Sequence, residues 1–228
     1  MTSQVDHLVV AASTLEEGVA WCERTLGITP GSGGEHPLMG THNRLFSVAS
    51  PLCPRAYFEI IAINPGAVSA DNMRARRWFD LDNEVFQHQL MQSGPQLIHF
   101  VASTPHAVPA IQALASLGID RGELLTASRM TPNGLLQWKI TVRADGQRLM
   151  NGCLPTLIEW GDVHPTDNMA TSGVTLQSLT ASQPDTDDLR AAYTVINLQG
   201  VEVVQGLPNL VATFNTPRGS VTLESKGL

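Results

Sequence analysis

Cysteine is scarce. The chain holds three, Cys22, Cys53 and Cys153, widely separated and without a C-x-x-C pattern. That argues against a disulfide framework or a structural zinc cluster and suits reduced thiols, so a cytoplasmic protein is expected. Basic residues are also few: 14 Lys and Arg against 21 Asp and Glu give a net charge of −7, which speaks against a nucleic-acid surface. The one basic cluster, "RARRW" from Arg74 to Trp78, reads as a solvated helix face. No apolar run approaches the ~20 residues that span a bilayer, and no basic region precedes an apolar core at the start; neither a membrane partner nor a secretory signal is expected. What is present is 228 residues, 43% hydrophobic and 15% charged, enough for one substantial core or two small ones.

Periodicity then shows a repeat. "DHLVVAA" reads as a strand, and "STLEEGVAWCERTLGI" as a helix that Ser13 or Thr14 can cap and Gly27 ends. A weak strand around 32–36 follows, then "NRLFSVA" and "YFEIIAI", with prolines between them. The same order returns: strand "LIHFVAS", a helix ending at Gly118, strands "GELLTASRM" and "LLQWKITVR" joined by Pro132-Asn133-Gly134, and strand "PTLIEWG". Both helices finish on Leu-Gly-Ile. A fainter third copy begins at "GVTLQSLTA". The divisions expected are a first module over 1–65, a connection over 66–96 containing one or two helices, a second module over 97–163, and a third module-like segment over 173–228.

Side by side, the copies place His7 opposite His99 on the first strands and Glu59 opposite Glu159 on the last. A polar side chain buried without a partner in an apolar strand costs about 1–3 kcal/mol, more if charged. Four at repeat-equivalent places invite one explanation. Two imidazoles and two carboxylates can supply the inner sphere of a divalent metal. Such a site needs the first and last strands of each copy side by side, facing the other copy across a cleft.

"DHLVV", "GTHNRL", "YFEIIAI" and "PTLIEWGD" resemble the vicinal oxygen chelate superfamily, and within it the glyoxalase-like domain group. The resemblance covers about residues 5–162. It implies an α+β fold in which paired βαβββ modules form a cupped mixed sheet, here with a third C-terminal copy. It also implies His7, Glu59, His99 and Glu159 as ligands of a divalent metal, with Ni, Zn, Co, Mn and Fe all open. The third copy has no strand histidine, although Glu224 stands in "VTLES", and reads as structural.

The chemistry that would follow is a metal-dependent lyase or isomerase acting on a small oxygenated substrate through an enediolate. The resemblance makes Glu159 or Glu59 the base. His42, Asn43 and Arg44 are candidate substrate contacts, with Arg44 able to meet an anion. On a strand, His42 and Arg44 point one way and Thr41 and Asn43 the other, so only one pair can face the site. The alternatives are a metal-free binding or sequestering protein of the bleomycin-resistance kind, and a regulatory or assembly domain. A homodimer is open, because paired modules can close a site within one chain or between two.

Overall fold

Thr14 starts the first helix as the sequence suggests: its side chain accepts from the Glu17 N–H, and Gly27 ends the helix in the left-handed region. The structure, a computed structural model, describes residues 2–67, 76–131 and 134–227. The first module is β1 (Ser3–Ala11), α1 (Leu15–Leu26), β2 (Glu35–His36), β3 (Thr41–Ser47) and β4 (Tyr57–Ile63). A connection containing α2 (Glu84–Ser93) leads to the second: β5 (Gln96–Ser103), α3 (Ala107–Ala115), β6 (Glu123–Thr131), β7 (Gly134–Val142) and β8 (Thr156–Trp160). Pro132 and Asn133 of the expected turn, and Arg74 and Ala75 of the basic cluster, lie outside the described residues.

The main sheet runs β2-β3-β4-β1-β5-β8-β7-β6. Within each module the first and last strands pair in parallel, β1 with β4 and β5 with β8, and β1 meets β5 antiparallel at the centre. The paired βαβββ modules are thus two halves of one curled mixed sheet.

Strands this central are buried on both faces, which explains their near-continuous apolar runs. Leu8, Val10, Phe58, Ile60 and Phe100 pack on the helix side, where Gly18 of α1 lies so close to β4 that an added Cβ would fall 2.4 Å from Ile60 Cγ2. Val9, Ile61, Val101 and Ile158 belong to the core of the concave side, together with Trp78, Phe79, Leu81, Phe86 and Leu90 of the connection. The connection therefore covers part of the cup.

The third copy keeps the order of elements with one short strand added: β9 (Thr175–Gln183), α4 (Asp187–Val195), β10 (Leu198–Gln199), β11 (Glu202–Gln205), β12 (Asn209–Thr216) and β13 (Gly219–Glu224). Its sheet, β11-β9-β12-β13, packs on the helix side of the main sheet, with Phe214 edge-on to Phe58 at 5.6 Å. Its β10 pairs with the start of β1. Glu224 is exposed and does not line the cup.

Candidate functional site

A bulge in β1 builds the floor of the cup. Val5 pairs with Ala102 and His7 with Val101, so Asp6 is an extra residue with no opposite number in β5. Its side chain is buried, at 1% exposure, rather than left to solvent. Asp6 Oδ1 lies 2.7 Å from His7 Nδ1, while Oδ2 accepts from Trp160 Nε1 at 2.9 Å and lies 3.1 Å from His164 Nε2. Burial alone would raise the Asp6 pKa. Hydrogen bonds to His164 and His7 outweigh it and hold the carboxyl well below its usual range. Asp6 is thus an ionised acceptor, and His7 donates its Nδ1–H to it.

That leaves His7 Nε2 facing Glu59 Oε2 at 3.6 Å, too long for a direct hydrogen bond. The other Glu59 oxygen accepts from Asn43 Nδ2 at 2.6 Å. Asn43 Oδ1 accepts the Gly34 N–H at 2.7 Å, and its Nδ2 is 3.3 Å from His36 Nε2. His36 Nδ1 lies 3.0 Å from Thr41 Oγ1, and burial pushes this histidine down to about 4 despite the pull of Glu59. The Tyr57 ring stacks on His7 at 4.4 Å; burial first, then Asp6 and Glu59, drives its phenol well above its ordinary pKa.

Of the four residues expected as ligands, the structure brings His7 and Glu59 together. His99 faces the same side and is fully buried against Phe79, but both ring nitrogens are used. Nδ1 lies 2.9 Å from the Gly152 carbonyl and so carries the proton; Nε2 accepts the Thr156 N–H at 3.1 Å and lies 3.0 Å from its hydroxyl. Burial, then the Arg121 charge, keeps the ring neutral with a pKa well below the usual value.

Glu159 points the other way. Val9 pairs with Glu59 in the first module, and its counterpart Val101 pairs with Thr156 in the second. The place of Glu59 is therefore taken by Thr156, and Glu159 is three residues further on. An odd displacement reverses the face. Glu159 accepts from the backbone N–H of Ala107 at 2.7 Å and from Lys139 Nζ at 2.6 Å.

In this arrangement the four expected ligands do not meet as one donor set. Among the described residues no group of three His, Cys, Asp or Glu side chains is gathered to hold a metal ion. His7 Nε2 and Glu59 Oε2 are open; the His99 lone pair and the Glu159 carboxylate are committed elsewhere. The donor set does not fit a two-His, two-Glu metal centre.

The candidate substrate contacts divide as strand geometry requires. Asn43 faces the cup. His42 and Arg44 face α1, beside Glu16, so Arg44 is not an anion contact in this cup. The candidates drawn from the sequence do not include His36, which lacks a repeat partner, His164, which lies in a proline-containing loop, or Asp6 and Tyr57.

The recess at His7 and Glu59 is small, about 40 Å³. Two larger spaces adjoin it. One of about 390 Å³ is walled by Leu38, Met39, Trp78, Leu125, Trp138 and Ile140; another of about 470 Å³ lies toward Gly33, His164 and Met169. Trp78 and Trp138 line both the apolar space and the recess.

A family model described as "Glyoxalase-like domain" matches residues 5–196, and the chain belongs to that family. Among solved structures, a hypothetical protein from Staphylococcus aureus shares 13% identity over 90% of this chain and 87% of its own, with a TM-score of 0.59. Methylmalonyl-CoA epimerase from Mycobacterium tuberculosis shares 12% identity over 70% and 88%, with a TM-score of 0.40. A hypothetical protein from Bacillus halodurans shares 9% over 74% and 100%, with a TM-score of 0.41. At these identities the first likeness shows the fold alone. No curated protein matches the chain significantly. No helix among the described residues is long and apolar enough to cross a membrane.

Proposed function

We propose that this chain is an isomerase- or lyase-type enzyme that moves a proton on a small oxygenated substrate, using the His7–Glu59 pair. The observation that carries the reading is the buried line Asp6–His7–Glu59 at the floor of the cup, with one free nitrogen and one free oxygen 3.6 Å apart. Glu59 takes a proton from a hydroxyl-bearing carbon next to a carbonyl. The C–H electron pair passes to the carbonyl oxygen, giving an enediolate. His7 Nε2 receives the proton from Glu59, and Asp6 stabilises the imidazolium as it forms. Return of the proton to the former carbonyl carbon, with the hydroxyl proton passing to the neighbouring oxyanion as the second carbonyl forms, completes an isomerisation; expulsion of a leaving group from the carbon next to the enolate, with its electron pair, completes an elimination. Every step is assigned to protein groups, because the metal-dependent form needs His99 and Glu159 free of their present bonds.

The test is proton exchange in D2O, followed by NMR, with the methylglyoxal–glutathione adduct and a panel of α-hydroxyketones. Deuterium should enter at the carbon next to the carbonyl and stop in Glu59→Gln. Ligands that bind without exchange in the unaltered protein would overturn the enzyme reading in favour of a binding or sequestering protein. The apolar 390 Å³ space suits that second reading as well.

A further inference from the structure

Arg129 stands apart from the other interior arginines. Arg77 and Arg148 pair with Asp82 and Asp80, Arg143 with Asp145, and Arg121 with the Pro155 carbonyl. Arg129, half-buried on β6, is held by backbone pairing with β7, but its guanidinium has no hydrogen bond or ion pair with any described residue. Yet it lines the catalytic recess and both adjoining spaces, and its charge is felt by His36 and Tyr57.

Its position is held open by the opposite wall. A Cβ on Gly34 would fall 1.5 Å from Arg129 Nη1, so the guanidinium occupies the volume that any other residue would claim. Trp78, which also lines the recess, has a buried indole Nε1–H without a hydrogen-bond partner. The buried Trp78 donor calls for an oxygen acceptor, and the water-accessible guanidinium of Arg129 on the same recess supplies a charge that would hold one.

We propose that Arg129 is the anion-binding residue of the cup and that the substrate is a small oxygenated carboxylic acid with an apolar side group. This deepens the proposed function by naming the substrate class. A planar guanidinium matches a carboxylate through two parallel hydrogen bonds. One cation beside the carboxylates of Glu59 and Glu35 favours a monoanion over a doubly charged phosphate ester. The side group would occupy the apolar space beside Trp78 and Trp138.

The experiment is binding, read by intrinsic tryptophan fluorescence and calorimetry, with phenylpyruvate, its methyl ester and phenyl phosphate. The acid should bind about tenfold or more tightly than the ester. The preference should vanish in Arg129→Gln, with that variant's fold confirmed by circular dichroism, and be kept only in part in Arg129→Lys, which retains the charge but not the paired hydrogen bonds. Equal binding of acid and ester, a preference that persists in Arg129→Gln, tighter binding of the phosphate, or no binding of the acid at millimolar concentration would each overturn the proposal. Glu59→Gln separates the two readings: it should abolish exchange and leave the preference for the acid intact. An acid preference without exchange would sink the catalytic reading and leave this one standing.

Discussion

Glu159 closes the N-terminus of a helix 52 positions earlier in the chain, its Oε2 accepting from the Ala107 N–H at 2.7 Å. The residue before that helix, His106, makes no side-chain cap of its own, so the carboxylate supplies what the local sequence omits. Glu159→Ala should therefore cost about 1 kcal/mol of stability in urea denaturation, the usual effect of losing a cap. The half-exposed Lys139 pair adds little to that. Exchange activity and ligand binding should be unchanged. Stoichiometric retention of Ni, Zn, Co, Mn or Fe that disappears in this variant would show instead that the cap opens to make a metal site.

Asp6→Asn keeps the shape of the residue that holds His7 and His164 while removing its charge. The His7 tautomer is then no longer fixed and its imidazolium no longer stabilised. Exchange should fall about a hundredfold or more, with nitrogen NMR of the imidazoles showing a changed His7 tautomer. Full activity with an unaltered ring spectrum would remove Asp6 from the mechanism.

Acid should weaken the fold before the carboxylates titrate. His36 is pushed down to about 4 by burial, and His99 lies well below its ordinary value. Below about pH 6.5 the unfolded chain binds protons at both sites while the folded chain does not. Stability then falls with falling pH, by up to about 1.4 kcal/mol per pH unit for each ring, until His36 titrates near 4. The depressed Asp6 adds to the loss only below the usual carboxylate range. Urea midpoints from pH 7 to 4.5 should show the slope, and His36→Gln should flatten it. A flat profile in the unaltered protein would contradict the neutral buried state of both rings.

Gly34→Ala tests the seat of Arg129 without touching the arginine. The obstructed atom is the far end of a flexible side chain, so the protein should fold and the guanidinium should move. Acid-over-ester preference should drop about tenfold, within reach of the loss of one charge-assisted contact. An unchanged preference would place the anion contact elsewhere.

The module order, the α1 cap and the His7–Glu59 pairing were all legible in the sequence, because helix and strand periods differ and first and last strands must meet. The second half of the expected site was not. β8 is five residues long, with Leu157 and Ile158 buried on opposite faces, so its pattern does not say which face Glu159 takes. Aligning glutamate with glutamate moved the register by three residues, and only the pairing of Val101 with Thr156 corrects it. Asp6 was hidden by its bulge, since strict alternation would send it away from His7. His36 and His164 come from a two-residue strand and a loop, where periodicity carries no signal.

The pairing of β10 with the start of β1 has a consequence for the order of assembly. Ser3 bonds the Asn197 carbonyl through its backbone N–H and the Ile196 carbonyl through its hydroxyl, and it pairs with Leu198 in the sheet. Strand β1 is thus anchored by a segment 193 positions further along the chain. Contacts so distant in sequence form slowly, because a long loop must close before they stabilise anything. The strand carrying Asp6 and His7 therefore gains its contact at Ser3 and Gln4 later than its pairings with β4 and β5, which close shorter loops.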